Sequence, residues 1–281
     1  MKKLVSLLTA CFLAVSMLAA CGSSGSSSGS GSAGTTAASN SESSSVTLKD
    51  GTLMVGVEIG YPPMEYFDED GATPIGFDIE LAQALADDMG LKLEIVDTAW
   101  DGIFAGVETD KYDVILSSVS WTEERNESHT LSETYIANAP VLVVPNDSEI
   151  KDIQDLAGRS VAVQMETTAD YLIQDYVKDG LDTELRQYEK VINAFDELKM
   201  GRVDAVCTDS VVAAFYLGDE VNNYKNVWQS DEAEPICMCL KKGNDALKTA
   251  LEASLQNLRD NGKLAEISVK YFGSEDPINV K

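Results

Sequence analysis

Two stretches of this 281-residue chain repeat one arrangement, KYDVILSSVS at positions 111–120 and RVDAVCTDS at positions 202–210. Each sets a basic residue and an aspartate ahead of a short apolar strand that ends in hydroxyl or acid side chains. Ahead of the first lie a strand at Leu53–Val57 and a helix in which Phe77, Leu81, Leu85 and Met89 recur every four residues up to Gly90. A strand at Leu91–Val96 and a helix at Asp101–Val107 follow, and the third strand is Val114–Leu116. Ahead of the second come a short helix at Ile153–Leu156, strands at Ser160–Gln164 and Leu185–Tyr188, helices at Thr168–Val177 and Ile192–Met200, then a strand at Asp204–Cys207. Such alternation predicts an α/β fold with mainly parallel sheets flanked by helices, in two lobes whose corresponding strand ends face a shared cleft. An apolar run at Pro235–Leu240 and helices at Ala246–Leu258 and Lys263–Phe272 complete the chain.

The end of the third strand carries chemistry. Ser117, Ser118 and Ser120 are followed by Thr122 as an N-cap, Glu123 and Glu124 in the first helical turn, and Arg125. A carboxylate brought here meets serine hydroxyls, free backbone N–H groups and a guanidinium fork able to bind both of its oxygens. From these residues alone, a serine-rich turn carrying a surface arginine is an equal reading.

The N-terminus is a separate matter. Lys2 and Lys3 precede an apolar run from Leu4 to Ala20, the pattern of a signal peptide covering residues 1–20. Leu18-Ala19-Ala20-Cys21 resembles the lipobox of bacterial lipoproteins, which implies cleavage before Cys21 and lipid attachment to its sulfur. Residues 21–45 are rich in Gly and Ser with no apolar anchor, and read as a flexible tether. Cleavage removes two lysines and no acid, so the net charge moves from −26 to −28. A surface this acidic repels nucleic acid and anionic lipid, and no nucleic-acid partner is expected.

Cys11 leaves with the signal and Cys21 carries lipid, leaving Cys207, Cys237 and Cys239. Cys237 and Cys239 share one face of a strand and are badly placed to bridge each other, so buried free thiols are expected, a bridge to Cys207 being the lesser option. With a single histidine, His129, read as a surface residue, no metal site or other cofactor is expected.

Taken in order, YPPMEY, IGFDIELAQALA, AWDGIFAGVETDKYDVI, SSVSWTEER, VAVQMETTADY, GRVDAVCTD and LRDNGKLAEISVKYFG resemble the family 3, periplasmic-type solute-binding proteins of polar amino-acid ABC transporters, in lipoprotein form. The resemblance spans about residues 48–275 and implies a type II two-lobed binding-protein fold. Lobe 1 is expected at residues 46–140 plus 236–281 and lobe 2 at 141–235, with crossover strands at Ala139–Val144 and Glu234–Cys239. It implies no enzymatic activity, a free amino acid as ligand, an ABC permease as partner, a monomer, and a location on the outer face of the bacterial cell membrane, held by lipid at Cys21.

Position by position, the resemblance places Arg125 on the ligand carboxylate with Ser118, Ser120 and Thr168, and Asp209 on its ammonium. Tyr61 and Trp100 stand where aromatic walls surround the ligand side chain, and Glu58 where that side chain is touched. Glu166 departs from the pattern, since many members have glycine there, leaving the backbone shape at that point open. Glu58, Asp209 and Glu166 make the pocket acidic. The expected ligand is therefore polar, with a basic side chain such as lysine or arginine favoured and cystine or glutamine as alternatives. A dehydratase on the same fold, using Glu58 or Glu166 as general acid, is the competing reading.

Overall fold

The computed structural model describes residues 46–220 and 223–280, so the signal peptide and the whole linker, Cys21 included, lie outside the described residues. The chain opens with β1 (Thr52–Val57), a turn through Pro62 and Pro63, and a small hairpin of β2 (Tyr66–Phe67) and β3 (Pro74–Ile75). Then come α1 (Phe77–Asp88), β4 (Lys92–Asp97), α2 (Trp100–Glu108), β5 (Val114–Ser120), α3 (Glu123–Ser128) and β6 (Thr130–Ile136). The next series is β7 (Pro140–Pro145), β8 (Ser160–Gln164), α4 (Thr168–Lys178), β9 (Glu184–Tyr188), α5 (Val191–Lys199), β10 (Ala205–Asp209), α6 (Ser210–Glu220) and β11 (Tyr224–Gln229). β12 (Ile236–Leu240), α7 (Asp245–Asp260) and α8 (Lys263–Phe272) end it.

Two five-stranded sheets result, ordered β4-β1-β5-β12-β6 and β11-β7-β10-β8-β9. β4, β1 and β5 are parallel, as are β9, β8 and β10, because each is joined to the next through a helix. β12 and β7 run antiparallel to both of their neighbours, since each enters its sheet from the other one. The segments expected to cross over thus sit almost wholly within one sheet each. Residues 137–139 and 230–235 make the crossing, and they are stitched together where Glu234 N donates to Asn138 O at 2.8 Å and Ser230 N to Pro140 O at 2.9 Å.

The repeated aspartates have a structural task. Asp113, just before β5, accepts from the amides of Leu48 (2.6 Å) and Met54 (2.8 Å), pinning β1 beside it. Asp204, just before β10, accepts from Ser160 N and Oγ at 2.8 Å each, pinning β8 in the same way. Beneath the first sheet Tyr112 lies against Gly56 and Gly106, its hydroxyl donating to Ile103 O; a β-carbon at either glycine would overlap its ring. Among the described residues no helix is long and apolar enough to cross a membrane.

Candidate functional site

The carboxyl ends of β1, β5, β8 and β10 converge on one cavity. Open α/β sheets put their ligand crevices at that end, where side chains and amides beyond the last rung are free to point at a guest. Glu58, Tyr61, Trp100, Ser118, Ser120, Arg125, Thr168 and Asp209, all singled out in the sequence, line it together.

β5 does not stop at Leu116 but continues through the serines, with an irregularity: its register with β12 slips between Cys237 and Cys239, and Ser118 takes φ +50°. Asp78 holds this bend by accepting from Ser118 N at 2.8 Å, while the buried Ser118 hydroxyl meets no protein partner and lines the cavity. Thr122 caps α3, accepting from Arg125 N at 3.2 Å, and so sets the arginine in the first turn. Its Nη1 donates to Ser120 O at 2.9 Å, and the guanidinium faces the Trp100 and Phe104 rings at 5.7 and 5.1 Å from their centroids. Burial pulls the Arg125 pKa below its ordinary value, and no ion pair engages it among the described residues. From the start of α4 Thr168 Oγ1 approaches Ser120 Oγ to 3.4 Å.

Acids line the same cavity. Asp209 accepts from Tyr61 OH at 2.6 Å and Asn138 Nδ2 at 2.6 Å; burial raises its pKa, and these donors together with Arg125 pull the other way. Tyr61, expected as an aromatic wall, lines the cavity and is a hydrogen-bond donor to that carboxylate. Glu58, 4% exposed, accepts from Gln164 Nε2 at 2.7 Å, and burial lifts its pKa to about 7.

Ser117, named with the other serines of the strand end, lines the cavity too, and so do Glu65, Gln164 and Thr167, which the sequence did not single out. Glu65 sat in plain view within YPPMEY and Gln164 at the end of a predicted strand. Glu65 Oε1 accepts from Ser117 Oγ at 2.6 Å and Oε2 has no donor. Burial and the neighbouring Asp78 push the Glu65 pKa well up, and burial lifts that of Asp78 to about 7. Two buried carboxyls side by side favour a shared proton.

Residues 53–274 match the family model of bacterial extracellular solute-binding proteins, family 3. The chain belongs to this family. It is 30% identical over 227 residues to the L-cystine-binding protein TcyJ of Escherichia coli (strain K12), covering 80% of this chain and 84% of that one. The arginine-binding extracellular protein ArtP of Bacillus subtilis (strain 168) is 29% identical over 281 residues, 98% of this chain and all of the relative. Among solved structures, an ancestral arginine-binding protein bound to arginine superposes with a TM-score of 0.75 at 35% identity, over 79% of this chain and 99% of that one.

In this solute-binding protein Glu166 adopts the glycine-like conformation, φ +61°. Its amide donates to Asp170 Oδ2 at 2.8 Å and its carbonyl accepts from Trp100 Nε1 at 3.1 Å, so both sides of the peptide are held while the side chain stays exposed. His129 is not a free surface residue: it stacks on Phe104 and its Nδ1 lies 2.8 Å from Glu108 Oε1. Cys207, Cys237 and Cys239 are buried free thiols, the first in the second sheet and the others in the first. Burial raises all three thiol pKa values, that of Cys237 to about 12, which makes them inert at neutral pH.

Proposed function

We propose that the protein captures a free polar amino acid with a cationic side chain, such as lysine or arginine, between its lobes and delivers it unchanged to an ABC permease. The carrying observation is that a half-buried guanidinium with no ion-pair partner among the described residues, Arg125, and a buried carboxylate, Asp209, line the same cavity. A zwitterion supplies the opposite charge to each, and removing either ion from water without a partner is costly. Ser118 and Ser120 from the first sheet and Thr168 from the start of α4 complete the carboxylate end; Glu58 and Gln164 receive the side chain, with Tyr61 and Trp100 as walls. Relatives named for arginine, cystine and glutamine support an amino-acid ligand.

Lobe 1 comprises residues 46–140 plus 236–281 and lobe 2 residues 141–235. Closure about the paired crossing segments lets the ligand bind one state better than the other, which is the signal the permease reads. The protein acts as a monomer, tethered by residues 21–45 to lipid on Cys21 at the outer face of the cell membrane. Calorimetric titration with the twenty amino acids and cystine tests this reading. Lysine or arginine is expected to bind; tight glutamate binding with neither of them refutes the cationic side chain. Mass spectrometry of the released ligand separates carrier from dehydratase, since a carrier returns it intact.

A further inference from the structure

Beyond Glu58 and Trp100 the cavity gives way to a second one, and those two residues line both. Its walls bring acids and a lysine together: Asp101 from the first lobe, Glu189 and Lys190 from the second. Lys190 Nζ donates to Ile59 O at 2.8 Å across the cleft and forms no ion pair among the described residues. An ammonium has three protons to donate, so two remain for a guest. The ammonium also lies near enough to Glu58 to act on its carboxylate.

A simple cationic side chain leaves this arrangement half used. It satisfies Glu58 but puts a second positive charge beside Lys190. A side chain ending in an ammonium and a carboxylate satisfies both, just as the α-carbon end satisfies Asp209 and Arg125. We propose that the second cavity is a distal subsite for a second amino-acid head, so that the preferred ligand is a two-headed amino acid with one ammonium–carboxylate pair at each end. Glu58, helped by Asp101 and Glu189, takes the distal ammonium, and Lys190 takes the distal carboxylate. This rests on the amino-acid-carrier reading and narrows its ligand from a basic side chain to a doubly zwitterionic one.

Titration calorimetry of the full-length protein with lysine, arginine, meso-diaminopimelate, cystathionine and cystine tests it. meso-Diaminopimelate is lysine with one carboxylate added beside the distal ammonium, so comparing the two isolates the contribution of Lys190. At least one two-headed compound is expected to bind ten times more tightly than lysine. In Lys190→Met, the ratio of its Kd to that of lysine is expected to rise at least tenfold. Two-headed compounds that all bind more weakly than lysine or arginine in the natural protein overturn the subsite and leave the carrier reading standing, and this comparison needs no variant. An unchanged ratio in Lys190→Met likewise overturns it. If no amino acid binds, with one head or two, the carrier reading falls and the subsite with it.

Discussion

The hydroxyl of Tyr61 donates to Asp209 Oδ2 at 2.6 Å, linking the turn after β1 to the last residue of β10 and so one sheet to the other. It does two things at once, orienting a buried carboxylate toward the cavity and contributing a bond that exists only when the lobes are together. Tyr61→Phe keeps the ring and removes the bond. A charge-assisted bond of this kind contributes about 1.5–3 kcal/mol, so ligand affinity is expected to fall roughly tenfold to a hundredfold. Calorimetry that finds the affinity within twofold of the natural protein counts against Asp209 as the ammonium acceptor.

Arg125 makes a sharper prediction because its partner is supplied by the ligand. Arg125→Ala strands a buried carboxylate, and affinity is expected to fall by about 2–5 kcal/mol. Arg125→Lys keeps the charge but loses the planar fork and much of the stacking on Trp100 and Phe104, giving a smaller loss. The specific check is agmatine, which is arginine without its carboxylate. It should bind weakly and almost equally to the natural protein and both variants, whereas arginine separates all three.

Glu58 links stability and binding to pH in opposite senses. Its folded pKa of about 7 lies above the ordinary 4.5, so the folded protein holds a proton that the unfolded chain releases. Stability from this group is fully present below pH 4.5 and is lost as pH rises toward 7. A cationic side chain needs the ionised form, so its affinity should climb over pH 5.5–7.5 and then level. In Glu58→Gln the affinity slope should vanish and the decline in melting temperature should flatten. The decline that remains belongs to the other carboxyls whose pKa values burial raises, the Glu65–Asp78 pair with Asp113, Asp209 and Glu234. An affinity for lysine or arginine that is flat over this range would exclude Glu58 from contact with the cation.

The α/β alternation was readable because helix and strand periodicities differ and each sheet's parallel strands are joined through helices. β6 and β11 were not, since TLSETYI and YKNVWQ are strands of mixed polarity at or near sheet edges. α6 was hidden because its first residue, Ser210, directly follows the polar end of β10 and read as part of that ligand-bearing turn. The eight site residues could be named from sequence by resemblance, yet nothing in the pattern showed that Tyr61 donates to Asp209 or that Glu58 meets Gln164. Both contacts join positions more than 100 residues apart and exist only once two sheets meet.

Glu166 illustrates the same divide. Its departure from glycine was visible in the sequence, its φ of +61° was not. A left-handed conformation costs a residue with a β-carbon about 1 kcal/mol, partly offset by the extra unfolded-state freedom of glycine. Glu166→Gly is expected to be neutral to about 1 kcal/mol more stable, and Glu166→Val less stable by a similar amount, measured by urea unfolding. Glycine less stable than valine would mean the backbone there is not left-handed.

Asp78 lies behind the site and shapes it without lining it. One oxygen accepts from Ser118 N at 2.8 Å and the other from Tyr135 OH at 2.8 Å, and the proton it shares with the neighbouring Glu65 carboxyl is a third hydrogen within reach. All three neighbours offer hydrogens, so an amide in its place turns an –NH2 toward at least one of them. Asp78→Asn is expected to cost about 2–4 kcal/mol, the penalty for breaking a buried charged hydrogen-bond network. Loss of the Ser118 anchor should also release the left-handed bend of β5 and move the Ser118 hydroxyl, so ligand affinity falls even where the variant remains folded. Glu65→Gln gives the contrasting case: its amide still offers a hydrogen to Asp78, so stability should change by about 1 kcal/mol or less while the Asp78 pKa drops because the carboxylate pair is gone. Urea unfolding of both variants from pH 5 to pH 8 decides the matter. Equal losses in the two, with the same pH dependence, would show that the carboxyls act independently and that no proton is shared between them.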